Sequence, residues 1–90
     1  MERADTALRE PMAIELNLTA FEKVARSYGW VSNEDIAKAL GVSERQVSRV
    51  RKGKGRPGTA FIAGLLAAAE EVGFRRLFRI VPASHPIGRE

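Results

Sequence analysis

The residues of this chain best suited to recognition chemistry lie close together, within residues 44–52. Arg45 and Arg49 are four positions apart and therefore share one face of a helix, with Gln46 beside Arg45. An arginine can donate two hydrogen bonds to guanine O6 and N7, and a glutamine can pair with adenine N6 and N7. Each such pair discriminates between bases by about 1–3 kcal/mol. A helix with these side chains is suited to reading base edges in a DNA major groove.

The apolar residues around this segment predict two short helices joined by a tight turn. They recur at helical spacing before and after a break at Gly41–Ser43, at Ile36, Ala37, Leu40, Val47 and Val50. Two apolar helix faces this close in sequence must pack on each other at a steep angle, which is the geometry of a helix-turn-helix. This packing leaves the polar face of the second helix turned outward.

Positive charge is concentrated on the second of these helices and on the loop after it. From Glu44 to Arg56 there are six basic residues and one acidic residue, a net charge of +5, whereas the whole chain carries +4. A localised basic patch is expected of a surface that binds a polyanion. Charge alone leaves a solvated, arginine-rich helix face as an equal alternative. The helix-turn-helix pattern favours nucleic acid.

Length and composition limit the classes of protein that fit. Ninety residues suffice for one small domain. The absence of cysteine excludes disulfides and thiolate metal sites, and it is consistent with a reducing cytoplasm. The N-terminal segment lacks the apolar stretch of a signal peptide, and the near-apolar run at residues 60–69 is about half as long as a membrane span. We therefore expect a cytoplasmic protein that makes no membrane contact.

The remaining pattern predicts three further helices, and with them an all-α, compact five-helix bundle. We expect a first helix from Leu16 or Leu18 to Tyr28, a fourth from Thr59 to Val72, and a short fifth at residues 74–78, followed by an extended segment at 79–81. The domain should span residues 13–81. A flexible N-terminal arm is expected at 1–12, where Arg3 and Arg9 could touch DNA, and a disordered tail at 82–90.

Three polar residues are candidate helix caps. Thr19 is expected to cap the first helix, and Ser32, with Asp35 three residues on, should form a capping box at the second. Ser43 and Gln46 match the capping-box pattern better and should begin the third helix. Trp30 is expected to pack over the core.

Catalytic chemistry has almost no candidate residues. His85 is the only histidine and lies in the predicted tail, and no cluster of metal-ligand residues is visible. Residues Gly53–Gly58 match the G-x-G-x-x-G dinucleotide fingerprint, but that motif needs a preceding strand within a βαβ unit, and here a helix precedes it. We therefore expect no enzyme activity, no cofactor and no metal.

The spacing within residues 33–53 resembles the helix-turn-helix of Cro/CI-like (XRE-type) regulators of bacteria and bacteriophages. Ala37 matches the family's alanine at the contact of the two helices, and Gly41 matches its turn glycine. Val47 and Val50 match the apolar positions that seat the recognition helix. The exit loop that follows, residues 53–58, is also similar at Gly53, Arg56 and Pro57, and the resemblance extends over roughly residues 16–81. Asn33 departs from the pattern, because a glutamine is often found there.

The resemblance implies a lambda-repressor-like domain whose recognition helix spans about residues 44–52. It assigns base reading to the first turn and outward face of that helix: Glu44, Arg45, Gln46, Ser48 and Arg49. It assigns phosphate contacts to Ser32, Asn33, Ser43, Lys52, Lys54 and Arg56, which would fix the register without reading sequence. Two alternatives stay open, since Gln46 could serve only as a cap and Glu44 could serve only the helix dipole. Arg51 should point away from the groove, toward solvent or phosphate.

The function expected on these grounds is that of a sequence-specific regulator of transcription that binds double-stranded DNA, most simply a repressor of the phage immunity or Cro-like type. A phage excision or architectural factor, or an antitoxin-type protein-interaction module, is the alternative. Oligomeric state is open. The apolar residues near the C-terminus would form either a homodimer surface or part of a monomer's core; they are Phe74, Leu77, Phe78, Ile80 and Val81.

Overall fold

The computed structural model describes residues 11–84, which form five helices and a two-stranded antiparallel sheet. In chain order the elements are β1 (Met12–Leu16), α1 (Leu18–Ser27), α2 (Asn33–Leu40), α3 (Glu44–Arg51), α4 (Thr59–Ala68), α5 (Phe74–Leu77) and β2 (Phe78–Pro82). Most of the predicted arm and tail, with Arg3, Arg9 and His85, lies outside the described residues. The inner ends of both segments, at Met12 and Pro82, belong to strands.

The prediction of an all-α fold is wrong, because β1 and β2 pair along their whole length. The register places Leu16 opposite Phe78 and Met12 opposite Pro82. The pairing continues beyond the strands, where the Asn17 N–H donates to the Leu77 carbonyl at 2.8 Å and the Ala83 N–H donates to the Pro11 carbonyl at 2.9 Å. The extended segment predicted at 79–81 lies within β2. The sequence MAIEL of β1 has little β-propensity of its own, so long-range pairing with β2 decides its conformation.

Two predicted helix ends are also wrong. Asn17, not Thr19, caps α1, since its side-chain oxygen accepts a hydrogen bond from the Ala20 N–H at 3.1 Å. Helix α4 ends at Ala68, four residues before the predicted end at Val72, and Ala69 already leaves the helical region at φ −125°. Glu70 and Glu71 would carry negative charge at the C-terminus of a longer helix, which the helix dipole disfavours.

The core lies where α1 and α4 each bury an aromatic side chain. Phe21 of α1 and Phe61 of α4 are fully buried, and their ring centroids are 5.9 Å apart. Leu16 and Phe78 extend the core onto the sheet. Trp30 is half-buried at the edge of the core, beside Tyr28 at a ring distance of 5.1 Å. The helix-turn-helix is thus one side of a single packed unit.

Helices α2 and α4 approach so closely that a glycine is needed at their contact. A Cβ on Gly64 of α4 would lie 2.9 Å from the carbonyl carbon of Leu40, the last residue of α2, and closer still to its oxygen. The contact is with backbone, so no side-chain rotation can relieve it. This contact fixes the position of α2, against which α3 packs.

Replacing Ala37 with leucine should destabilise the domain by about 1–3 kcal/mol, because Ala37 is only 6% exposed and a larger side chain overpacks a close helix contact. Denaturant unfolding measures the change. Ala39→Leu is the matched control, because Ala39 lies on the exposed face of the same helix. Equal unfolding midpoints for the two variants would show that α2 makes no close contact at Ala37.

Candidate nucleic-acid interface

Helix α3 is seated by its apolar face and exposes a basic one. Val47 is fully buried and Val50 is 4% exposed. Arg45, Arg49 and Lys52 follow at spacings of four and three residues, and all three are exposed. These spacings place them in one stripe along the helix. The side of α3 turned to solvent therefore carries three positive charges in a row.

The N-terminus of α3 is capped by Ser43, whose hydroxyl accepts a hydrogen bond from the Gln46 N–H at 3.1 Å. The reciprocal half of the predicted capping box is not formed here. The Gln46 side chain instead lies over Gly58, where an added Cβ would be 3.1 Å from its Nε2. Gln46 thus has a partly buried position beside the exit loop, whereas Glu44 in the first turn is exposed.

The N-terminus of α2 carries the complete capping box. The Asp35 N–H donates to the Ser32 hydroxyl at 3.0 Å, and the Asp35 carboxylate accepts from the backbone N–H groups of Ser32 and Val31. These backbone hydrogen bonds, the one from Ser32 first, hold the pKa of Asp35 below its ordinary value. The weaker of the two sequence matches is therefore the one that forms fully.

Arg51 links α3 to both α1 and α2. Its Nε and Nη2 donate to the two carboxylate oxygens of Glu22 in α1, both at 2.8 Å, and its Nη1 donates to the Asn33 side-chain oxygen in α2 at 2.7 Å. The side chain of Arg51 was predicted to point toward solvent or phosphate, but its partners are Glu22 and Asn33. Asn33 accepts from Arg51 through its oxygen, so the NH₂ of its amide group can still donate to another ligand.

A polar cleft of about 310 Å³ lies between α3 and the exit loop, residues 53–58. Arg45, Gln46 and Arg49 line it from the helix, and Gly55 and Arg56 line it from the loop, with Ser43 and Val50 completing the wall. Three guanidinium groups thus border one open space. The guanidinium groups of such a cleft can donate hydrogen bonds to the acceptor atoms of a base edge or to the oxygens of a phosphate.

The exit loop is held against the C-terminal turn of α3 by backbone hydrogen bonds. The Lys54 N–H donates to the Arg49 carbonyl at 2.9 Å, and Gly53, at φ +72°, permits the reversal that this bond requires. Lys54 is exposed, whereas Arg56 is half-buried and also lines a smaller pocket beside Glu15. Glu15 is only 4% exposed and pairs with Arg79 of β2 at 2.7 Å. The unexpected strand β1 therefore borders the loop that shapes the cleft.

The structure brings together some of the predicted contact residues and leaves others separate. Ser43, Arg45, Gln46, Arg49 and Arg56 share the cleft. Exposed Glu44 and half-buried Ser48 do not line it, and Lys52 and Lys54 are exposed outside it. Ser32 and Asn33 lie apart, at the start of α2. Sequence reasoning missed Glu22, Gly55 and Gly58. For Glu22 no local pattern exists, because its partner Arg51 is 29 residues away.

Most of the residues considered for a dimer surface belong to the core. Leu77 is fully buried, Phe78 is 3% exposed and Val81 is 9% exposed. Phe74 is half-buried and stacks on Phe78 at a ring distance of 5.0 Å. Ile80, at 56% exposure, is the member of the five that is open to solvent. The larger part of this apolar segment therefore serves the monomer's own packing.

Comparisons of the chain with protein-family models, curated proteins and solved structures found no significant match. Between residues 11 and 84, the helices are all too short to cross a membrane. The same part of the chain contains no group of three or more histidine, cysteine or acidic residues arranged to hold a metal ion.

Proposed function

We propose that this protein is a sequence-specific regulator that binds double-stranded DNA with α3 in the major groove. One observation carries the proposal: α3 is the second helix of a helix-turn-helix and exposes a basic stripe while its valine face is buried. The helix fits the dimensions of a major groove, and arginines are the side chains that most often read guanine there.

The candidate contacts divide into those that read bases and those that bind phosphate. Arg45 and Arg49 lie four residues apart, a separation of about 6 Å along the helix axis, which is enough to reach neighbouring base pairs. Exposed Lys52 and Lys54 follow toward the exit loop, where their charges suit phosphate oxygens. Glu44, Gln46 and Ser48 are secondary candidates for base contacts.

The regulatory role we infer is repression of the Cro/CI-like type, in the cytoplasm, without enzymatic activity. A domain seated in the major groove over a promoter blocks polymerase by occupying its site. Of the apolar residues considered for a homodimer, Phe74 and Ile80 are those with surface left to offer. The number of half-sites in the bound DNA would report whether one or two copies bind.

The proposal is tested by selecting bound sequences from random duplex DNA and comparing affinities at two salt concentrations. A defined motif whose preference persists as salt rises is the expected result. Weak binding without a motif that collapses with salt would contradict a sequence-specific regulator. The selected motif is then located in the source genome. Genomic copies that lie beside recombination sites rather than promoters would contradict the regulatory role and favour an architectural factor.

Arg45→Ala is expected to weaken binding to the selected motif about 5- to 150-fold and to relax the preference at one base position, because a bidentate contact supplies about 1–3 kcal/mol of discrimination. Lys52→Ala should instead weaken binding to all sequences alike and reduce the salt slope by about 1. Arg75→Ala, an exposed charge on α5, is the control for net charge. An equal loss on every DNA sequence would refute base reading by Arg45.

A further inference from the structure

We propose that Gly55 and Gly58 are specificity-determining positions, because the space above each glycine is where a reading side chain of α3 rests. The inference rests on the proposed function, since it concerns how the cleft beside α3 presents Arg49 and Gln46 to DNA. It assigns a part in base selection to two residues of the exit loop that have no side chain of their own.

Arg49 lies directly over Gly55. A Cβ added to Gly55 would be 3.0 Å from the Arg49 Nη2 and 3.6 Å from its Cζ and Nε. The guanidinium of Arg49 therefore lies next to the space that a side chain at position 55 would occupy. A Cβ at position 55 would require the guanidinium to shift by a few tenths of an ångström.

Gln46 lies over Gly58 in the same way as Arg49 lies over Gly55. An added Cβ on Gly58 would be 3.1 Å from the Gln46 Nε2. Gln46 and Arg49 are three residues apart on α3, and Gly55 and Gly58 are three residues apart on the loop. Two side chains of the helix thus rest on two glycines of the loop, and both pairs border the same side of α3.

Neither glycine is required by its backbone conformation. The glycines with positive φ are Gly29, Gly41, Gly53 and Gly73 among the described residues, and Gly58 has an ordinary extended conformation at φ −84° and ψ 176°. Gly53 shapes the loop by its conformation, whereas Gly55 and Gly58 act through the volume that they leave open. This difference separates their role from the usual role of glycine in a turn.

The physical consequence is a change in recognition without a change in stability. The atoms that an added methyl group would meet are the far ends of flexible side chains, which can turn aside at little cost. Replacing glycine with alanine at a compatible backbone conformation also reduces the entropy of the unfolded chain. The methyl group should therefore leave the fold intact and displace the guanidinium or amide that faces the DNA.

The test compares Gly55→Ala and Gly58→Ala with the wild type by selection from random duplex DNA, with unfolding measured in parallel. In Gly55→Ala we expect the preference at the base read by Arg49 to fall at least about fivefold, with unchanged or higher stability and an unchanged salt slope. In Gly58→Ala the preference at the position read by Gln46 should change instead. In the free protein, the side-chain NH resonances of Arg49 and Gln46 should shift in the respective variants.

Lys54→Ala is the control within the loop, because it removes a charge directly before Gly55 without adding volume. Gly55→Ala is also measured in an Arg49→Ala background, where it should have no further effect on the motif. An unchanged motif in Gly55→Ala and Gly58→Ala, or the same loss in the absence of the Arg49 side chain, would overturn the inference while leaving the proposed function intact. A wild-type protein that selects no motif would overturn both.

Discussion

Gly64→Ala is expected to destabilise the domain by about 3 kcal/mol, the upper end of the usual cost of overpacking a core. The added Cβ would meet the backbone carbonyl of Leu40, where α4 crosses the end of α2. A backbone collision has no rotamer to relieve it, so the two helices must separate and loosen the core around Leu65 and Phe61. Because α3 packs on α2, the displacement should also reduce the DNA affinity that we propose for α3.

The sign of this change makes the experiment decisive. At an unconstrained position inside a helix, glycine to alanine stabilises by about 0.5–1 kcal/mol. A measured gain in unfolding free energy would therefore contradict the close α2–α4 contact. Ala63→Ser, on the exposed side of the same helix, is the control for a small change that meets no neighbour. The comparison with Gly55→Ala, where the neighbour is a movable side chain, separates the two kinds of close approach.

Arg51→Ala should destabilise the domain by about 2 kcal/mol, because it removes two charge-assisted hydrogen bonds to Glu22 and one to Asn33. The pair is partly exposed, at 27% for the Arg51 side chain and 35% for that of Glu22, so the loss should be smaller than for a fully buried pair. The bonds tie the last turn of α3 to α1 and α2. Their removal should also increase the mobility of α3.

Lys52→Ala is the matched control for Arg51→Ala, since it removes the neighbouring positive charge from an exposed position. A double-mutant cycle with Glu22→Ala isolates the bidentate pair, and a coupling free energy of about 1 kcal/mol or more is expected in denaturant unfolding. If Arg51→Ala and Lys52→Ala unfold at the same denaturant concentration, Arg51 does not hold the helices together.

The helix-turn-helix was predictable because its signals are local. Ile36, Leu40, Val47 and Val50 repeat at helical spacing, and Ser32 and Ser43 precede their helices at the positions where caps occur. The exposure of Arg45 and Arg49 follows from the burial of Val47 and Val50, which lie on the opposite face of α3. In this segment, the periodicity, the caps and the turn glycine all agree.

The features that the sequence did not predict depend on partners distant in the chain. Nothing within residues 12–16 indicates a strand, which forms because Phe78–Pro82 lies alongside it. The apolar residues at 74–81 were ambiguous because composition cannot distinguish a surface patch from a core, whereas burial shows that Leu77 and Phe78 belong to the core. Arg51 looked like part of a basic patch because its acidic partner belongs to another helix. Gly55 and Gly58 looked like ordinary loop residues because the space they leave open is visible only in three dimensions.

The pairing of β1 with β2 has a consequence for the topology of the chain. Pro11 and Ala83 are joined by a 2.9 Å hydrogen bond, so the two ends of the described domain lie side by side. A short peptide joining them would close the backbone into a ring and remove much of the entropy that the unfolded chain gains from its free ends. The helices and strands would then keep their arrangement in space even if the chain began and ended at a different point. New ends could be opened at the exposed Ser27–Gly29 connection, leaving α2, α3 and the exit loop in one uninterrupted segment.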